Sequence, residues 1–220
     1  MGNIVRWFED FPRRALDLLP EMKDFAAQRD RMGSLSLLIA PALIVAPYER
    51  LQTYARRRNP QADYLRFPEA HKEFNAVMEA PFRDAAFWTA QTKGSSTEWL
   101  GGQVNRISSD PSIWKSRNGL KLSQNEFWAV DIGAKETRWV WKLLRDALSH
   151  WNVANSDRQH RSFDEGGIMQ RLLFYRSHDD NGPWDIVSVS PEAFIAFLEA
   201  WTVFLSQGFG HEMLAESEAA

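Results

Sequence analysis

Residues 143–153 read LLRDALSHWNV and form the end of a long amphipathic segment. At about 100° per residue, the segment Ala134–His150 predicts a helix with a single apolar sector. The apolar positions are Val140, Leu144, Ala147, Leu148 and Trp151, with Leu143 at the edge of the sector. The opposite side carries Lys142, Asp146 and Ser149, flanked by Arg145 and His150 at about 140° from each other. We therefore expect one side of this helix to pack into the core.

The charged side chains near the end of this helix allow two interpretations. Asp146 and His150 are four residues apart, so the carboxylate can orient the imidazole. Arg145 carries a planar, permanently charged guanidinium that suits a phosphate. A polar face with Lys, Arg, Asp, Ser and His is usually a solvated helix surface, and the spacing alone favours that interpretation. We expect Arg145 to make no core contact, so that its replacement by alanine leaves folding largely intact.

Three long helices and one short helix are predicted before this one. Apolar residues at steps of three and four predict the first over residues 3–31 and the second over about 35–54. Pro68 opens the third, and a short helix around residues 98–107 is expected within a region of loops that extends over 94–124. Prolines are expected to bend or split the first two helices at Pro12 or Pro20 and at Pro41 and Pro47.

Two strands and a last helix are predicted after the motif. A polar loop over residues 155–167 precedes strands at 168–175 and 184–190, which flank a turn-rich segment. Ser190-Pro191-Glu192 begins the last helix, because proline is favoured at the first helical position, and Gly208 ends it. The order of elements predicts a mainly α fold, an up-down helical bundle with a small β-hairpin before the last helix.

The composition fits a single globular domain over residues 1–210, with a hairpin insertion at about 168–190 and a flexible tail over 211–220. Ten tryptophans indicate a core or interface rich in aromatic surfaces. The chain has no cysteine, which excludes disulfides and thiolate metal sites. A net charge of -3 excludes a global basic field, so a nucleic acid would need a local patch.

The sequence also limits the cellular location and the catalytic motifs that this protein can have. The apolar run Leu35–Ala46 is shorter than the roughly 20 residues that a bilayer crossing needs, and residues 1–14 lack the apolar core of a signal peptide. We expect a cytoplasmic protein without a membrane partner. No Walker loop, GxGxxG, HExxH or serine nucleophile elbow is present.

The string Arg145-Asp146-Ala147-Leu148-Ser149-His150 resembles the R-x4-6-H motif of the HEPN superfamily. The wider LLRDALSHWNV is similar to the LRNAxxH-(F/W)-N-(I/V) form of a bacterial subgroup. Two further features agree with that subgroup: an early apolar helix that ends in a proline and an acidic residue, within 43–49, and a hairpin and final helix after the motif.

The resemblance implies a helical bundle that pairs into homodimers, with two motifs in one cleft, and a metal-independent endoribonuclease of toxin or defence type. His150 would act as general acid/base, Arg145 would stabilise charge on the phosphoryl oxygens, and Asp146 would position the histidine or the substrate. RNA would be the substrate, no metal or cofactor would be needed, and an antitoxin or another partner protein would fit the same family. The expected substrate-binding residues are Lys142, Ser149, Asn152, Arg158 and Arg161.

Two departures from the family pattern are present. Asp146 stands where the subgroup usually has asparagine, and it adds negative charge where RNA must approach. Asn152 stands where family toxins silenced by nucleotidylation carry tyrosine, so that control is not expected. The alternatives are a non-catalytic HEPN module that binds RNA, nucleotide or a partner protein, and a purely structural helical domain.

Overall fold

A computed structural model describes residues 7–48, 68–85, 87–88, 98–104, 131–156, 169–177 and 184–208. The helices within these residues are α1 (Trp7–Ala27), α2 (Met32–Ala40), α3 (Pro68–Glu79), α4 (Thr137–His150) and α5 (Pro191–Gly208). The strands are β1 (Trp99–Val104), β2 (Val153–Ser156), β3 (Arg171–Ser177) and β4 (Trp184–Val189). Short 3-10 turns lie at Phe82–Asp84 and Ile132–Ala134.

Prolines shape the second helix but do not divide the first. Pro12 and Pro20 both lie inside the continuous helix α1, so the expected division of that helix is wrong. After α2 the chain continues through a π-helical turn, Pro41–Val45, into a last helical turn, Ala46–Tyr48. The Ala46 N–H donates to the Pro41 carbonyl, a five-residue step that replaces the usual four-residue step. This wider turn delivers Tyr48 to the core.

The strands form one antiparallel sheet in the order β1-β4-β3-β2. The predicted helical bundle with a hairpin is therefore wrong, and the fold is mixed α/β. The two predicted strands exist as β3 and β4, but β1 replaces the short helix expected around residues 98–107. Strand β2 replaces the start of the expected polar loop. Neither is signalled locally, because β1 contains Gly101-Gly102 and β2 has four residues, and both depend on pairing with the hairpin.

The core lies between one face of the sheet and helices α4 and α5. The sheet contributes Leu172, Phe174, Val187 and Val189, all fully buried. An aromatic cluster joins the helices, with ring centroids 4.3 Å apart for Trp141 and Trp201. The Trp201 indole N–H donates to the Leu43 carbonyl at 2.7 Å. This bond fixes the π-helical turn after α2 against α5. The expectation of an aromatic core is met at these positions.

Helix α5 begins and packs as its sequence predicts. The Ala193 N–H donates to the Ser190 hydroxyl at 3.3 Å, so Ser190 caps the helix ahead of Pro191. Helix α5 packs against α1, where Lys23 Nζ and Glu199 Oε1 form an ion pair at 2.6 Å. Within the described residues, every helix falls short of the length and hydrophobicity that crossing a membrane would require.

Candidate active site at the end of helix α4

Helix α4 stops at His150 because the next residue leaves the right-handed region. Trp151 has φ 54° and ψ 30°, and its N–H donates to the Ala147 carbonyl. The Asn152 N–H donates to the same carbonyl at 2.8 Å. The Asn152 carbonyl then accepts the Tyr175 N–H at 3.1 Å, which ties the end of α4 to strand β3. The motif therefore lies at a junction between a helix end and the sheet.

Arg145 contacts the core. Its guanidinium carbon lies 5.3 Å from the centroid of the Tyr48 ring, and Tyr48 is only 4% exposed. Arg145 Nη1 also lies 3.0 Å from Asp146 Oδ1, and the arginine side chain keeps 25% exposure. The expectation that Arg145 makes no core contact is wrong. The wheel placed it beside the polar sector, but the turn after Pro41 brings Tyr48 beneath it.

Strand β3 adds a second arginine to this group. Arg176 follows Leu172 and Phe174 at two-residue steps, so it shares their face of the sheet and points toward α4. Its Nη1 lies 3.4 Å from Asp146 Oδ2, and its side chain is 11% exposed. One carboxylate, Asp146, thus contacts two guanidinium groups through different oxygens.

A polar row across the sheet supports Arg176. Arg176 is registered opposite Asp185, and Asp185 is registered opposite Gln103. The Gln103 side-chain amide donates to Asp185 Oδ1 at 3.0 Å, and Asp185 is only 4% exposed. Because opposite residues of antiparallel strands share a face, these side chains lie on the α4 side of the sheet. The row places a buried carboxylate opposite Arg176 on the same face of the sheet.

Two arginines meet beside Tyr48. We define the arginine cluster as Tyr48, Arg145, Asp146 and Arg176, in which two guanidinium groups contact the Asp146 carboxylate, while Asp185 lies opposite Arg176 in the sheet. Burial raises the pKa of Tyr48 above its ordinary value, because the phenolate would lose its water. The positive charges of Arg145 and Arg138 act in the opposite direction, as does a hydrogen bond from Arg145. The neutral phenol therefore adds no negative charge beside the two arginines.

His150 lies one turn beyond Asp146 and is exposed. In the described part of the chain, Asp146 is bound to the two arginines and makes no hydrogen bond to His150. The structure thus brings Arg145 and Asp146 together, but not Asp146 and His150. The expectation that Asp146 positions the histidine stays a prediction, and what the geometry provides is a carboxylate that positions arginines.

The expected substrate-binding residues divide by location. Lys142 and Ser149 are exposed on α4, and Asn152 is half-buried at the junction with β3. Arg158 and Arg161 lie outside the described residues. Lys142, Ser149 and Arg145 share one side of α4 with Arg138, since their positions fall within about 60° around the axis. Arg138 is itself paired with Glu79 at 3.3 Å.

Tyr48 and Arg176 are absent from the residues that the sequence singled out. Tyr48 follows Pro47 in the segment that carried part of the family resemblance, but its contact with α4 depends on the π-helical turn. Arg176 had a signal that could have been used. The alternation within β3 puts an arginine on the same face as Leu172 and Phe174, and a charge on a core-facing position requires a partner.

The structure offers two further observations on ligands. Among the described residues, no group of three or more His, Cys, Asp and Glu side chains could hold a metal ion. A cavity of about 460 Å³ lies between α1 and α2, lined by Phe25, Leu35 and Leu38 among others, and it contains no motif residue. The lining of the cavity is mostly apolar, although Glu21, Arg31 and Ser34 also contribute to it, and the candidate site is therefore the arginine cluster together with His150.

Comparison of the chain with protein-family models, with curated proteins and with solved structures finds no match.

Proposed function

We propose that this chain is a HEPN-type, metal-independent endoribonuclease of toxin or defence type that acts through Arg145 and His150. The observation that carries the proposal is the arginine cluster. Two guanidinium groups, one from helix α4 and one from strand β3, share the Asp146 carboxylate one turn before an exposed histidine. Cleavage of a phosphate diester needs positive charge and a proton-transfer group, and these side chains supply both types of group.

The proposed reaction uses the 2′-hydroxyl of RNA as the nucleophile. The 2′-oxygen forms a bond to the adjacent phosphorus, and the bond from phosphorus to the 5′-oxygen of the next nucleotide breaks. The nucleophile gives up its proton, the leaving oxygen takes one up, and His150 carries out one of these transfers. Arg145 binds the phosphoryl oxygens, on which negative charge grows in the transition state. The products are a 2′,3′-cyclic phosphate and a 5′-hydroxyl.

A homodimer is part of the proposal. Arg145 and His150 are about 140° apart around the axis of α4, so one helix directs them to different sides. Two copies that meet at the ends of α4 would place the histidine of one copy beside the arginine cluster of the other. A symmetric pair of this kind is the commonest form of protein oligomer. An antitoxin or another partner protein, if encoded with this chain, would act on the same assembly.

The alternative is a non-catalytic HEPN module that binds RNA, nucleotide or a partner protein. One observation favours it. Arg145 contacts both Tyr48 and Asp146, and these contacts would have to be exchanged for contacts with a phosphate. In a binding module the same cluster would hold an anion without cleaving it, and His150 would be dispensable.

Cleavage of RNA in EDTA, by the parent protein and by His150→Ala, distinguishes the two functions. His150 is exposed, so the substitution should leave the thermal midpoint unchanged. For the enzyme we expect His150→Ala to lower the cleavage rate by about 10²–10⁴-fold, the range that positioned proton transfer contributes. Products of the parent should carry 2′,3′-cyclic phosphates. Equal cleavage by both proteins, or none by either, would exclude the proposed enzyme.

A further inference from the structure

Trp151 combines two properties that rarely occur together. Its side chain is 67% exposed, and its backbone has φ 54°. Within the described residues, the other non-glycine residue with positive φ is Asp30, and a short polar side chain tolerates that region. A bulky aromatic residue is strained there, and such strain persists only when the surrounding structure imposes it.

The left-handed conformation decides where the indole lies. On a continued helix, residue 151 would fall into the apolar sector of Leu144 and Leu148, which are buried. The sequence predicted a core or interface position for Trp151, and the structure contradicts the core position, because it turns the side chain out to solvent. The reason is the chain reversal after His150, where the Trp151 and Asn152 N–H groups both bond to Ala147. The strain thus exposes an aromatic ring directly beside the exposed histidine.

The backbone at Trp151 adjoins the elements that carry the two arginines. Asn152, the next residue, is hydrogen-bonded to Tyr175, and Arg176 follows Tyr175 on β3. Arg176 reaches back to Asp146, one turn before His150. Trp151 therefore lies at the junction between α4 and β3, where the arginine cluster and the histidine also lie. An aromatic surface beside guanidinium groups is the pairing that binds unpaired nucleotides, because the ring stacks on a base while the arginines hold phosphates.

We infer that Trp151 is a stacking platform for a nucleobase next to the cleaved phosphate, so that the substrate is RNA with an unpaired base at the cut. The inference rests on the proposed function and adds the class of RNA. A base within a duplex is covered on both faces by its neighbours and offers no surface to the indole. Double-stranded regions would therefore resist cleavage, and loops and single strands would be cut.

The affinity for labelled RNA tests the inference, with all variants made in the His150→Ala chain so that binding is measured without cleavage. The probes are an unstructured single-stranded RNA and a duplex of the same length. Replacing Trp151 by alanine should weaken single-strand binding by about 10- to 100-fold, the range for loss of one stacked base, and Trp151→Phe should retain most of the affinity. Phe25→Ala is the matched control, because Phe25 is another exposed aromatic residue, 59% exposed, and lines the cavity between α1 and α2.

Trp151→Gly provides a second readout that an ordinary surface residue would not give. Glycine adopts positive φ without strain, so this variant should raise the thermal midpoint by about 2–4 °C while it weakens RNA binding as much as alanine does. Higher stability with lower affinity is the signature of strain kept for a binding role. Unchanged RNA affinity in Trp151→Ala and Trp151→Gly would overturn the inference. So would dissociation of a dimer by these variants without loss of RNA affinity, because Trp151 would then be a contact between copies.

The inference and the proposed function fail differently. Binding that depends on Trp151, with no cleavage by the parent chain, would retain the stacking platform and reject the nuclease. Cleavage that depends on His150, with affinity independent of Trp151, would retain the nuclease and reject the platform.

Discussion

Arg171 on strand β3 and Arg145 on helix α4 have the same side chain in two different environments. Arg171 is 9% exposed, and its guanidinium donates to the Ser188 hydroxyl at 2.6 Å, the Glu98 carbonyl at 2.6 Å and the Ser188 carbonyl at 3.0 Å. Arg145 is 25% exposed and meets a carboxylate and the face of a phenol ring. Arg171 donates to three neutral acceptors, whereas Arg145 belongs to a partly exposed cluster in which two guanidinium groups share the Asp146 carboxylate.

The difference lies in what each arginine can still do. Burial lowers the pKa of Arg171, and the Glu98 carboxylate, 3.8 Å away, opposes that change. Its guanidinium donates to the Ser188 hydroxyl and to two backbone carbonyls, all of which are fixed parts of the fold. Arg145 is held by Asp146, whose carboxylate it shares with Arg176, so a phosphate can compete for the same guanidinium groups. We therefore expect Arg171 to contribute to stability and Arg145 chiefly to activity.

Of the two arginines, Arg145 should have the larger effect on activity when it is removed. Arg145→Ala is expected to slow RNA cleavage by about 10²–10³-fold, the usual cost of losing one transition-state donor. Because the contact with Tyr48 is also lost, the free energy of unfolding should fall by about 1 kcal/mol. Cleavage kinetics and thermal unfolding measure the two effects separately.

Arg83→Ala is the control for loss of a positive charge, since Arg83 forms an exposed pair with Asp131. Arg83→Ala should change neither the cleavage rate nor the free energy of unfolding appreciably. If Arg145→Ala retained full activity and lost only stability, Arg145 would resemble Arg171, and the contrast between the two arginines would disappear.

Replacing Arg171 should lower stability and leave the cleavage rate unchanged. Arg171→Met keeps an unbranched side chain but leaves the Glu98 and Ser188 carbonyls without their donor, so we expect a loss of about 3 kcal/mol in the free energy of unfolding. The cleavage rate per folded molecule should not change. Denaturant unfolding and activity below the transition test this, and a folded, stable but inactive Arg171→Met would assign that arginine to the site instead.

The smallest expected effect is on stability at alkaline pH, and it comes from Tyr48, the tyrosine beneath Arg145. Burial raises the pKa of Tyr48 above 10.0 in the folded chain, so above about pH 10 the unfolded chain releases this proton first and the free energy of unfolding falls. Below that pH the group contributes no pH dependence. Tyr48→Phe should remove this share of the alkaline decline, at a cost of about 1 kcal/mol at neutral pH for the lost hydrogen bond.

Urea unfolding on either side of about pH 10 measures the effect. Tyr175→Phe is the matched variant, because burial also raises the pKa of Tyr175. An unchanged alkaline slope in Tyr48→Phe would mean that Tyr48 ionises as it does in the unfolded chain.

The sequence predicted those elements that local periodicity determines. Helices α4 and α5 and the strands β3 and β4 follow from residue spacing, because each buries one face. Strand β1 could not be predicted, since its glycines carry no strand preference and only pairing with β4 makes it a strand. The candidate site was predicted in part: Arg145 and Asp146 do meet, but Tyr48 and Arg176 reach them through tertiary contacts. Trp151 was assigned to the core because the helical pattern was extended one residue beyond the helix end.

The most direct test of the account uses a DNA oligonucleotide that carries a single ribonucleotide, incubated with the parent chain in EDTA. The account predicts one cut, immediately 3′ of the ribonucleotide, with a cyclic phosphate product, and no such cut by His150→Ala or when the 2′-oxygen is methylated. Cleavage at the deoxynucleotides, cleavage of the methylated oligonucleotide or equal cleavage by His150→Ala would contradict it, because the end of helix α4 would then not perform the reaction.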